Sequence, residues 1–210
     1  MCSKKKVTVM IDFEKCVEDF FDNEFCNSID LSIIYSDISA SSFDNENRVS
    51  LISSKEKCID FDILTELYFE KYNLINEVIK KEKYKGFNFS KAKQYKSNDA
   101  MWSCNGINYF IEFKNMPDPG SKDLKTKIKE SMLVYLDIVD EKISIAKNDL
   151  GYILVYNPGS IHKIHKNVKA FAKEKVDKYG LISSFEDLYF KDVLIMSKKD
   201  FEEFLENKYK

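Results

Sequence analysis

Leu64, Leu67, Tyr68, Leu74, Ile75, Val78 and Ile79 recur at the spacing of a helix with one apolar face, and Asp60 or Asp62 stands where its N-cap belongs. The pattern predicts a helix from there to about residue 81. Leu124, Ile128, Met132, Tyr135, Leu136 and Val139 predict a second over 122–139. Ile161, Ile164, Val168, Phe171, Ala172 and Val176 predict a third, stopped by Gly180. Phe201, Phe204 and Leu205 mark a closing helix over 199–208, and 14–25 reads as another near the start. Between them lie strand-like runs at 6–11, 152–156 and 193–196. Residues 27–54, rich in Ser, Asp and Asn, read as irregular with a strand at 49–52. The sharpest local signal is Asn105-Gly106 between two apolar runs, because a type I′ hairpin turn needs positive φ at both centres. From position 60 the order is helix, hairpin, helix, strand, helix, strand, helix. That order predicts an α/β fold.

Composition narrows the class. The chain has 210 residues, 44% of them hydrophobic, enough for a packed core and against wholesale disorder. No apolar run reaches bilayer length and no signal-peptide core precedes residue 13, so a soluble cytoplasmic protein with no membrane partner is expected. Five cysteines without a CxxC suit free thiols in a reducing compartment. No Gly-rich phosphate loop and no nucleophile elbow occur, which argues against a P-loop NTPase, a nicotinamide dehydrogenase and an α/β-hydrolase.

The net charge of −2 hides a strong asymmetry. Residues 11–46 carry ten acidic side chains against Lys15 alone. Residues 80–96 carry seven lysines against Glu82, and 161–180 six lysines against Glu174 and Asp177. Lysine runs are commonly solvated helix faces; flanking a chemical site, they would instead attract a polyanion. With Arg48 the only arginine, phosphate contacts would be Lys point charges.

The chemistry sits on the hairpin. Asp99 is six residues before Asn105 and Glu112 six after Gly106, so the two carboxylates converge at its open end, beside Lys114. Strand alternation puts Glu112 and Lys114 on one face, Ile111 and Phe113 on the other. Two carboxylates and a lysine suit a hard divalent cation such as Mg²⁺ or Mn²⁺. The same spacing also fits a plain ion pair on a half-exposed hairpin. His162 and His165 lack further ligands at a diagnostic spacing, and Trp102 reads as core packing.

Asp99, twelve intervening residues and Glu112-Phe113-Lys114 resemble the PD-(D/E)XK signature of the restriction-endonuclease-like nucleases, with the run 109–111 and the following helix and strand in matching places. The resemblance implies a restriction-endonuclease-like core, a mixed central β-sheet flanked by helices. That core, a helix, a three-stranded meander, a helix and a fourth strand, would map to about 60–157, behind an acidic extension over 1–59 packed on it. It implies Asp99 and Glu112 as metal ligands and Lys114 acting on water or phosphate. A first-helix glutamate is added in many members; Glu70 is favoured over Glu66 because it borders the apolar stripe. Lys127 is weighed for a substrate-side role little above that of a solvated lysine. The residue before Asp99 is Asn98, where the family often has proline.

The implied activity is Mg²⁺-dependent phosphodiester hydrolysis in nucleic acid, DNA favoured over RNA, in a phage-defence or mobile-element context. A homodimer would suit cleavage of two strands. The rival is a catalytically inactive protein of the same fold that binds a protein partner through its acidic amino-terminal region.

Overall fold

The computed structural model describes residues 11–22, 29–83, 95–116, 121–159, 180–186 and 188–207. Asp12 caps α1 (Phe13–Phe21) by accepting the Lys15 amide at 3.2 Å, and Phe13, Val17 and Phe21 recur every fourth residue and turn inward. A 3₁₀ turn (Leu31–Ile34) leads to β1 (Tyr35–Asp37), the single-turn α2 (Ile38–Ser41), and the hairpin of β2 (Phe43–Asp44) and β3 (Val49–Ser50). Then β4 (Lys57–Asp60) runs directly into α3 (Phe61–Lys83), where the Asp60 carboxylate accepts the Ile63 amide at 3.0 Å. β5 (Ala100–Cys104) and β6 (Ile107–Lys114) are followed by α4 (Ser121–Ile138), α5 (Ile143–Asp149) and β7 (Leu150–Tyr156). The short α6 (Ile182–Phe185), β8 (Asp192–Ser197) and α7 (Lys198–Asn207) complete the described elements.

Six strands form one mixed sheet in the order β1-β4-β5-β6-β7-β8, antiparallel from β1 to β6 and parallel from β6 to β8. Alternation divides its side chains between two cores. Ile59, Met101, Phe110 and Leu154 pack with Phe13, Phe61, Leu64, Leu124, Ile128 and Tyr135 from α1, α3 and α4. Cys58, Trp102, Ile111, Phe113 and Val155 pack on the other face with Ile38, Phe201 and Leu205 from α2 and α7. The architecture is α/β, a mixed central sheet flanked by helices.

Several sequence expectations change. The third antiparallel strand beside the β5–β6 hairpin is β4, which precedes α3, so the meander is interrupted by that helix rather than following it. Residues 27–54 are not wholly irregular: they supply β1, an edge strand paired with β4, and the strand expected at 49–52 is only Val49–Ser50. The segment before position 60 thus gives α1 to the larger core and β1 and β4 to the sheet. The expected strand at 6–11 lies outside the described residues except for Ile11, and the end of the helix expected at 14–25 lies outside them as well. So do the helix at 161–176, both of its histidines, and most of the basic stretch 80–96. Among the described residues no helix is long and apolar enough to cross a membrane.

Candidate functional site

Asn105 and Gly106 have φ of 50° and 78°, the left-handed pair a type I′ turn requires. The turn sets Cys104 opposite Ile107 and Ala100 opposite Ile111; continued by one residue, the same register sets Asp99 opposite Glu112. Glu112 shares the face of Phe110, toward α3 and α4, and is completely buried there.

The backbone around Asp99 is held from three sides. The Phe61 amide, at the start of α3, donates to the Asp99 carbonyl at 3.2 Å. The Asn98 amide donates to Ser131 Oγ on α4 at 2.9 Å. A proline at position 98 would have no N–H for this bond, which gives a local reason for asparagine where the resembled signature often has proline. On the side chain, Asp99 Oδ2 accepts the Phe113 amide at 2.6 Å. The end of β6 is fixed as well: Asn157 donates its amide N–H to the Lys114 carbonyl at 2.9 Å, and Asn115 links Asp44 (2.8 Å) to Asn157 (2.7 Å).

Two lysines converge on the carboxylates. Lys114 Nζ lies 2.6 Å and Lys127 Nζ 2.8 Å from the same oxygen, Glu112 Oε1. Lys127 Nζ is also 3.3 Å from Asp99 Oδ1 and so bridges the pair. Glu112 Oε2 is buried with no hydrogen-bond partner. Burial, reinforced by the Asp99 charge, pushes the Glu112 carboxyl up to about 7 against the pull of Lys127 and Lys114. Burial also raises Asp99, opposed by Lys127 and the Phe113 N–H. At Lys127 burial works against the charge, but Asp99 and Glu112 together outweigh it and hold the ammonium above its ordinary pKa.

Lys127 opens onto a cleft of about 390 Å³ lined also by Asp62, Glu66, Tyr95, Lys96, Ser97 and Asp123. Ser97 hydrogen-bonds Asp62, and Lys96 pairs with Asp123. The sequence expectation for the α3 glutamate is Glu70, but the structure leaves Glu70 exposed and does not bring it to this cleft; Glu66 is there instead. The cleft lies against the first turns of α3, and Glu70 is about 6 Å farther along the axis. Asp99, Glu112 and Lys114 come together, joined by Lys127, which the sequence reading ranked low. A signal for it exists: Leu124, Lys127, Ser131, Val134 and Ile138 fall on one helical stripe, and every other member is buried.

Among the described residues no group of three or more His, Cys, Asp or Glu side chains is placed to hold a metal ion, so the donor set is the two carboxylates. The hard oxygens of Asp99 and Glu112, with Glu112 Oε2 lacking a partner, fit Mg²⁺ or Mn²⁺, which take one or two carboxylates and keep several waters. Trp102, in contrast, is buried against Tyr109, Phe201 and Phe204, a core residue and not a stacking platform. No family model, no curated protein and no solved structure matches the chain.

Proposed function

We propose that the chain is a metal-dependent nuclease, hydrolysing phosphodiester bonds in nucleic acid, DNA favoured over RNA, on a restriction-endonuclease-like core. The observation that carries the reading is the carboxylate pair. A fully buried Glu112 with an unpartnered oxygen, opposite an Asp99 whose carbonyl and carboxylate each accept a backbone amide, is costly unless cations compensate it. Asp99 and Glu112 are the residues that would hold Mg²⁺ or Mn²⁺. When bound, such an ion polarises a phosphate oxygen and makes a bound water more acidic.

This chain's own groups do the rest. The Phe113 N–H fixes the Asp99 carboxylate through Oδ2, so its other oxygen, Oδ1, keeps one orientation. Lys114, anchored through its own carbonyl and through Glu112, would orient the attacking water or take up charge on the phosphate. The lysine-rich stretches at 80–96 and 161–180 would add sequence-independent attraction, giving affinity that falls steeply with salt. The test is incubation of plasmid, linear duplex, single-stranded DNA and RNA with Mg²⁺ or Mn²⁺; the reading expects cleavage that EDTA abolishes.

One observation favours a second reading. Asp99 and Glu112 already face Lys114 and Lys127, two charges against two, as in a purely structural ion-pair cluster. The chain would then be an inactive protein of this fold that binds a basic partner through the acidic residues of 11–46. In that case no substrate is cut and neutralising those acids abolishes partner binding.

A further inference from the structure

Lys127 stands where a metal ion between Asp99 and Glu112 would be expected. Its ammonium touches Asp99 Oδ1 at 3.3 Å and Glu112 Oε1 at 2.8 Å, one oxygen from each carboxylate. Lys114 reaches only Glu112 among these two, from the same strand. The loading of Glu112 is lopsided, with two ammonium groups on Oε1 and none on Oε2. Two positive charges crowded on one oxygen are tolerated because two carboxylates must be neutralised in a buried place. A divalent cation on the same pair would leave the site with two positive charges in excess, and repulsion would fall most on the ammonium that shares both ligands.

Lys127 also has somewhere to go. Its side chain is 17% exposed, and it borders the cleft that holds Asp62, Glu66 and Asp123. Its backbone is fixed by α4, whose neighbouring Leu124 and Ile128 are fully buried, while four methylenes let the head swing by several ångströms. Lys114 does not border that cleft and touches Glu112 alone of the two carboxylates.

We propose that Lys127 is a resident counter-ion that the divalent metal displaces: in the metal-free chain it bridges Asp99 and Glu112, and on metal binding it swings into the adjoining cleft, toward the carboxylates of Asp62, Glu66 and Asp123. The proposal rests on the nuclease reading and adds a regulatory step to the same site. Metal competes with a tethered ammonium, which lowers its affinity for the carboxylate pair.

The test is calorimetric titration of the full chain with Mn²⁺, comparing wild type with Lys127→Met and with Lys96→Met, which removes a charge from the same cleft. Lys127→Met is expected to bind Mn²⁺ about tenfold tighter or more, and Lys96→Met within about twofold of wild type. A second arm needs no variant: reductive methylation of wild type, read by mass spectrometry, should label Lys127 several-fold more in saturating Mg²⁺ than in EDTA, with exposed Lys199 as the unchanged reference. That arm decides the matter if Lys127→Met fails to fold. Wild type that binds Mn²⁺, with Lys127→Met no tighter or Lys127 labelling unmoved by metal, overturns the displacement and leaves the nuclease reading standing. Absence of Mn²⁺ binding in all three proteins overturns both.

Discussion

Asp99 and Glu112 face each other across the open end of the β5–β6 hairpin, and the Asp99 carboxylate accepts the amide of Phe113, the residue after Glu112, at 2.6 Å. One carboxylate therefore holds the strand that presents the other. Removing the acceptor leaves a buried amide without a partner, at a cost of about 1–3 kcal/mol. Asp99→Ala should lower the melting temperature by several degrees, and Asp99→Asn, which keeps a carbonyl oxygen for Phe113, by clearly less. Thermal denaturation in EDTA checks this. Equal losses in the two variants would mean that this bond contributes nothing.

The pH dependence has a definite sign. Glu112 titrates at an ordinary 4.5 when unfolded and is pushed up to about 7 by burial in the folded chain. Burial makes protonation of Glu112 more favourable in the folded than in the unfolded chain, so its contribution is complete below 4.5 and is lost as pH rises through about 7. Asp99, raised by the same cause, acts in the same direction. Without metal, the urea midpoint should fall over this window, and Glu112→Gln should flatten the fall. A midpoint that climbs between pH 5 and pH 7 contradicts the assignment.

Packing between β6 and β7 leaves no room for a methyl group at Gly151. An added Cβ would lie 2.5 Å from the ring of Tyr109, its neighbour in the parallel register, and that ring is buried. Gly151→Ala should cost about 1–3 kcal/mol, measured by chemical denaturation. Tyr109→Leu combined with it should cost less than the sum of the single changes, because the clash goes with the ring. Additive costs would show that the crowding lies elsewhere.

Much of the site could be read from the chain because its signals are local. Asn105-Gly106 fixes a two-residue turn, the turn fixes register, and register alone sets Asp99 opposite Glu112. The helices α3 and α4 carry their apolar faces in sequence within a few residues of the observed ends. β1 and β4 were not legible, since Tyr35-Ser36-Asp37 has no apolar pattern and becomes a strand only by pairing with residues 57–59. Lys127 differs from Lys122, Lys125 and Lys129 in sequence only by its place on the stripe of Leu124, Ser131, Val134 and Ile138, and its carboxylate partners are set only when the fold brings the β5–β6 hairpin against that turn of α4. Glu70 borders the apolar stripe by its angle around α3, but angle carries no distance along the axis, and distance is what separates it from Glu66.

Lys114 has a role separable from metal holding. Lys114→Ala should reduce cleavage by roughly 10²–10³-fold while Mn²⁺ binds no more weakly, because the ammonium serves water or phosphate and repels the ion. Parallel calorimetry and single-turnover cleavage decide it. Loss of metal binding in step with cleavage would place Lys114 among the groups that build the metal site.

The most direct test of the account is cleavage of plasmid, linear duplex, single-stranded DNA and RNA in Mg²⁺ or Mn²⁺ by wild type beside Glu112→Gln, with circular dichroism on both. The account predicts EDTA-sensitive cleavage by wild type and its loss in a variant that remains folded. Cleavage undiminished in Glu112→Gln, or none by wild type in either metal on any of the four nucleic acids, would contradict it.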